Sequence, residues 1–170
     1  MIYEPREDSY LLQKYVHRYA EGKVLDVGTG SGIQARTALE HTPDVLAVDI
    51  NPEAVEHCQR QGIPAKLSDL FTNVSEKFDL IIFNPPYLPE DQHEDAASKQ
   101  ITTGGKKGNE LLERFLQQAR KHLAPEGKIL LIISSLTPAA EKIMDENGYC
   151  HTILERQKLF FEELQVYLLT

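Results

Sequence analysis

Val24-Leu25-Asp26-Val27-Gly28-Thr29-Gly30-Ser31-Gly32 decides the fold of this chain. The apolar stretch from Val24 to Gly28 reads as a buried strand, and it runs into a glycine-rich turn. Residues 31–40 then read as a helix. A strand, a glycine turn and a helix in that order open an α/β unit. Glycine supplies positive φ and lets a ligand approach the backbone closely. A second strand, Val45 to Asp49, ends on a carboxylate. Asn51 suits the cap of the next helix, Pro52 its first position and Gly62 its end.

Working outward, strand-like runs keep alternating with helical patterns. Leu11, Leu12, Tyr15, Val16 and Tyr19 recur at helical spacing, which predicts an amphipathic helix over 8–20. A short third strand covers about 64–67 and a fourth runs from Phe78 to Phe83, entering Asn84-Pro85-Pro86-Tyr87. Leu111, Leu112, Phe115, Leu116, Ala119 and Leu123 mark a helix. A fifth strand is expected over 128–134, and a helix from Thr137-Pro138 to Gly148. The last two strands, 149–156 and 161–169, are too close for a crossover helix and should pair antiparallel. Residues 88–108 have no periodicity, and a loop that long usually serves a function or is disordered. The expectation is one α/β domain over 1–170 with a mostly parallel sheet.

Composition bounds the partners. Of 170 residues, 26 are acidic and 18 basic, giving a formal net charge of −8. That balance lacks the positive field that duplex nucleic acid demands and favours a basic partner surface, so no direct nucleic-acid binding is expected. The longest apolar run, Ile129 to Ile133, cannot cross a bilayer, and the opening residues do not read as a signal peptide. Cys58 and Cys150 lie far apart, and a reducing cytoplasmic location is the default. The six histidines show no ligand spacing, so no metal is expected.

The glycine turn and its acidic neighbours point to a nucleoside. Asp49 can accept from both hydroxyls of a ribose. Dinucleotides and S-adenosylmethionine both use this layout. The dinucleotide fingerprint wants a small residue where this chain has Ile33. Asp26 would oppose a diphosphate but welcome a methionine ammonium. After the third strand, Asp69 can accept an exocyclic adenine amine while Leu70 covers the ring. A purely structural turn is the plainer alternative for each feature alone.

Asn84-Pro85-Pro86-Tyr87 carries the chemistry. An amide or exocyclic amine nitrogen is a poor nucleophile because its lone pair is delocalised. Two acceptors in the plane of the NH2 can orient it: the Asn84 side-chain oxygen and the Pro85 carbonyl. The two prolines have no N–H to compete and stiffen the cradle. Tyr87 can lie over the planar group. Preorganisation of this kind is the source of rate.

With those residues in place, the chain resembles the seven-stranded, Rossmann-like class I methyltransferases that use S-adenosylmethionine. Within them it is similar to the HemK-like glutamine methyltransferases of class I translation release factors. Tyr3-Glu4-Pro5-Arg6-Glu7-Asp8-Ser9 and Gly104-Gly105-Lys106-Lys107-Gly108 resemble the archaeal and eukaryotic branch. The resemblance implies helices on both sheet faces and an N-terminal segment, 1–20, over the cofactor site. It implies cofactor contacts from Ser9, Asp26, Gly28, Gly30, Asp49, Asp69, Leu70 and Asn84, and a substrate amide held by Asn84, Pro85, Pro86 and Tyr87. The catalytic residues would be Asn84, Pro85 and Tyr87. It also implies a small zinc-binding activator subunit that adds a strand at the edge Ile63 to Leu67. Glu90, Asp91, Glu94 and Asp95, just past the cradle, suit a basic release-factor surface.

Other readings stay open. The same cradle serves an adenine amine of DNA or RNA, although base extrusion needs more nucleic-acid surface than this chain offers. Lysine methylation needs a base that no residue beside the cradle supplies. A cofactor-binding scaffold would have no use for Asn84.

Overall fold

The structure is a computed structural model in which residues 2–86 and 108–170 are described. The first helix, α1 (Glu7–Tyr19), carries Glu7 and Asp8 in its first turn and His17 and Arg18 in its last, as the helix dipole favours. Ser9 Oγ accepts from the Arg6 N–H at 3.4 Å at its start. The deciding stretch becomes β1 (Val24–Val27), fully buried, followed by α2 (Ile33–Leu39). Gly28, Gly30 and Gly32 all take positive φ between them. At Gly32 a Cβ would come within 2.8 Å of the Ile63 side chain and 3.0 Å of Cys58 Sγ. Only glycine meets both demands there.

Next come β2 (Val45–Asp49) and α3 (Pro52–Arg60). The Asn51 side chain caps α3 by accepting from the Glu53 N–H at 3.0 Å, with Pro52 in the first turn as expected. The remaining strands and α-helices among the described residues are β3 (Ala65–Leu67), β4 (Phe78–Phe83), α4 (Glu110–Ala119), β5 (Leu123–Ser134), α5 (Ala140–Glu146), β6 (His151–Lys158) and β7 (Glu163–Leu169), with a 3-10 turn, Arg120–His122, between α4 and β5.

The seven strands form one sheet in the order β3-β2-β1-β4-β5-β7-β6. β1 pairs in parallel with β2 and β4, and β4 in parallel with β5. β7 runs antiparallel to both β5 and β6, as the short final connection required. The strands alternate between two cores. Ile81, Phe83, Ile129, Leu131 and Ile133 face Leu112, Phe115 and Leu116 of α4 and Ile143 and Met144 of α5. Leu80, Ile82, Leu130 and Ile132 face α1, α2 and Cys58 of α3. Helices thus cover both faces, as a mostly parallel sheet demands. Among the described residues no helix is long and apolar enough to cross a membrane.

Several boundaries differ from the sequence expectation: α2 is Ile33–Leu39 rather than 31–40, β6 is His151–Lys158 rather than 149–156 and β7 starts at Glu163 rather than 161; three further differences have a visible cause. β5 begins at Leu123 rather than 128, because the Phe78–Leu123 and Leu80–Lys128 pairs bracket a register shift. Pro125 and Gly127 make that segment read as a loop, yet a Cβ on Gly127 would meet the Phe78 and Ala124 carbonyls at 2.8 Å. α5 starts at Ala140, two residues beyond Pro138, after Ala139 takes φ +55. The edge strand is shorter than Ile63 to Leu67: Ile63 is buried, and β3 pairs only over Ala65–Leu67.

Candidate active site

β1 and β4 are neighbours in the sheet but far apart in the chain, with β2 and β3 extending the other way. At such a switch point the connections leave in opposite directions and open a crevice at the carboxyl ends of the strands. A cavity of about 340 Å³ lies there. That is within the usual size for a small-molecule site. It is lined by Ser9 from α1, Asp26, Gly28 and Gly30 from the glycine turn, Asp49 from the end of β2, Asp69 and Leu70, and Asn84, Pro85 and Pro86 from the end of β4. The fold therefore brings together all the expected site residues that are described. Tyr87, the acidic group from Glu90 to Asp95 and the stretch Gly104 to Lys107 lie outside the described residues.

Asp49 is aimed by the backbone. Its Oδ2 accepts from the Gly30 N–H at 2.9 Å and its Oδ1 from the Asn51 N–H at 2.8 Å. Burial raises its pKa, and the N–H groups of Asn51, Gly30 and Ile50 pull it back. Asp26 is buried on the α2 side of the sheet. Its Oδ2 accepts from Thr29 Oγ1 at 2.6 Å and the Ala35 N–H at 3.1 Å, which ties the turn to the start of α2. Desolvation pushes the Asp26 carboxyl up to about 7, against the lowering effect of those two bonds.

The wall after β3 is built by Ser68. Its hydroxyl donates to the Leu70 carbonyl at 2.8 Å and accepts from the Asn73 N–H at 3.0 Å. That staple holds Leu70 at φ +49, a left-handed conformation that a leucine adopts only under constraint. Arg114 of α4 reaches Asp69 Oδ2 at 2.8 Å, which leaves Oδ1 as the acceptor for an amine.

Several residues here carried no assignment in the sequence reading. Asn84 donates its side-chain NH2 to Asp8 Oδ2 at 2.8 Å. Asp8 had a signal, since it stands in the quoted N-terminal motif next to Ser9. Arg114 and Gln34 had none, because nothing in a helical pattern says which polar residue turns toward a cavity. The Gln34 side chain donates to the Ser9 carbonyl at 2.9 Å. Its Oε1 is buried with no partner among the described residues, an orphaned acceptor on a cavity-lining residue.

The histidines are less scattered in space than in sequence. His17 Nδ1 and His41 Nε2 meet at 2.9 Å beside Glu40, on an exposed face. Cys58 is buried and burial raises its thiol pKa, as suits a packing role.

The donor set fits S-adenosylmethionine. Asp49 offers two oriented acceptors for a ribose diol, Asp69 an acceptor for the adenine amine, and Leu70 an apolar wall. Asp26 and the orphaned Gln34 Oε1 suit an ammonium. Gly28 has no Cβ, and one built there would meet only the Phe83 ring, at 3.6 Å, so the backbone is bare to a ligand.

A mostly parallel sheet with this switch-point cavity, lined by Asp26 within β1, Asp49 at the end of β2 and Asp69 just after β3, has the layout of a Rossmann-like methyltransferase. The methyltransferase small domain family model matches residues 7–161. A Methanocaldococcus jannaschii protein, named by inference as a protein N5-glutamine methyltransferase, is 40% identical across 97% of this chain and 89% of its own length. The human methyltransferase HEMK2 is 31% identical across 86% of this chain and 79% of its own. Among solved structures, a chain of the E. cuniculi Mtq2-Trm112 complex, described as responsible for methylating the eRF1 translation termination factor, superimposes with a TM-score of 0.80. That match has 26% identity and covers 99% of this chain and 97% of the other. The chain belongs to the methyltransferase small domain family, among its HemK-like members.

Proposed function

We infer that this chain methylates the side-chain nitrogen of the glutamine in the Gly-Gly-Gln loop of a class I translation release factor, with S-adenosylmethionine as methyl donor. The carrying observation is the orientation of Asn84. Its NH2 is committed to Asp8, so its oxygen is the atom left to receive a donor, at the cavity end where Pro85 and Pro86 follow. A glutamine carboxamide offers two N–H donors in one plane. Asn84 Oδ1 takes one and the Pro85 carbonyl the other, which fixes the nitrogen for attack. Tyr87, the expected cover for the planar group, lies outside the described residues.

The cofactor would be held by Ser9, Asp26, Gly28, Gly30, Asp49, Asp69, Leu70 and Asn84, under the N-terminal segment 1–20 of a single domain. When bound, it supplies an electrophilic methyl group. Asp49 orients the ribose, and Asp26 and Gln34 take the ammonium.

The similarity to a Mtq2-Trm112 complex supports a small activator as partner. In this reading the activator binds zinc and adds a strand beside β3, which among the described residues pairs only with β2 and is an edge of the sheet. An unpaired edge of this kind is a place for strand addition. The test is transfer of a labelled methyl group to a Gly-Gly-Gln-containing release factor, with and without the activator. Label on the glutamine, lost in Asn84→Ala, supports the reading. Label on an adenine amine or a lysine instead would replace it.

A further inference from the structure

Asp8 is buried at the cavity, and in the scheme above it enters only as the acceptor that occupies the Asn84 NH2. The helix dipole does not account for it, since the exposed Glu7 serves the same first turn without burial. A buried carboxylate persists only when donors surround it. Asp8 has them. Its Oδ1 accepts from the Ser9 N–H at 2.7 Å, the Tyr3 hydroxyl lies 2.9 Å from both oxygens, and Oδ2 accepts from Asn84 Nδ2 at 2.8 Å.

The last contact is one-way. A carboxylate only accepts, so Asn84 must turn its NH2 toward Asp8 and its oxygen elsewhere. We propose that Asp8 is the positioning residue of this site, locking the Asn84 carboxamide with its oxygen presented to the incoming amide. Without Asp8 the carboxamide rotates freely. In the flipped state its NH2 faces the substrate NH2, donor against donor, and the cradle fails. Tyr3 and Ser9 hold Asp8 in turn, so the N-terminal segment, 76 residues from Asn84 at Asp8, sets the geometry at the end of β4. The substrate in this proposal rests on the glutamine reading; the Asp8–Asn84 contact does not.

Two measurements on the full chain, copurified with its activator, test it. The first needs no substrate. In a ¹⁵N spectrum the Asn84 side-chain amide, assigned by its disappearance in Asn84→Ala, should exchange slowly in the wild type and rapidly in Asp8→Ala. The second is kinetic. Asp8→Ala should lower kcat on the order of 10²-fold, as expected for a misplaced reacting group, and cofactor affinity by much less. In an Asn84→Ala background it should add no further loss. Asn84→Asp sets two carboxylates against each other and should be as inactive as Asn84→Ala. Adding Asp8→Asn to it restores a donor–acceptor pair and should recover activity. A merely structural Asp8 would not produce that rescue, and the swap carries the test even if Asp8→Ala fails to fold. A rapidly exchanging Asn84 amide in an active wild type, independent multiplicative losses or no rescue would each overturn the proposal. A wild type silent on glutamine but with the amide protected would refute the glutamine reading alone.

Discussion

Gly30 and Asp49 lie 19 residues apart and are joined by a 2.9 Å bond from the glycine N–H to the carboxylate. The bond exists because β1 and β2 are neighbours in register, so their turns leave the sheet side by side. With the Asn51 N–H on the other oxygen, it orients the Asp49 carboxylate before any ligand arrives. Asp49→Ala should therefore weaken cofactor binding at least tenfold. Two charge-assisted hydrogen bonds at ~1.5–3 kcal/mol each leave room for more. Calorimetry with S-adenosylmethionine reads this directly, and unchanged affinity would move the ribose elsewhere.

Asp26 predicts a pH dependence. Burial holds its carboxyl at about 7 in the fold, against about 3.9 in an unfolded chain. The folded state binds the proton more tightly. The contribution of this group to stability is thus fully present below about pH 4 and is lost as the pH rises through about 7. Asp26→Asn should flatten that part of the stability profile. An ammonium beside Asp26 favours the ionised form, so cofactor binding near neutral pH should release protons. Titrations in buffers of different ionisation enthalpy measure the release, and none would place the ammonium away from Asp26.

Ser68 should matter for both stability and binding. Ser68→Ala deletes the bond to the Leu70 carbonyl and strips the Asn73 N–H of its acceptor. The buried Leu70 carbonyl loses its donor, which costs about 1–3 kcal/mol, while the N–H of the exposed Asn73 can turn to water. The strained Leu70 turn should then relax away from the cavity. A lower Tm and weaker adenosine binding are expected together, and a Tm loss with full binding would detach the turn from the ligand.

The β3 edge carries its own guards. Its outward carbonyls, Ala65 and Leu67, accept from Gln59 Nε2 at 2.8 Å and Asn73 Nδ2 at 2.9 Å. A bare edge invites pairing with another chain. Gln59→Ala combined with Asn73→Ala should make the isolated chain self-associate in light scattering, and the activator should suppress it. A variant that stays monodisperse alone would show that the edge is protected by other means.

Much of this molecule was legible from local pattern. The Asp26-to-Gly32 turn, the Asn51-Pro52 cap and the alternation of strands and helices are short-range signals, and each forms where it was expected. The candidate cofactor residues were legible because strand ends in a parallel sheet share one edge. Asp8 stands in a legible motif, but nothing local gives it a task, since its partner Asn84 stands at the far end of the chain's first half. Arg114 and Gln34 depend on how a helix is rotated against the sheet, which tertiary packing decides. The early start of β5 was hidden by Pro125 and Gly127, residues that usually end a strand yet here form a bulge.

In the proposed site Asn84 and Pro85 cradle a glutamine amide. The most direct test of that cradle is fragment mass spectrometry of a class I release factor after incubation with the chain, its activator and S-adenosylmethionine. The account predicts a single methyl group on the side-chain nitrogen of the Gly-Gly-Gln glutamine, and a rate reduced on the order of 10²–10³ in Asn84→Ala. An unmodified glutamine with wild-type enzyme, or equal methylation by Asn84→Ala at saturating cofactor, would contradict it.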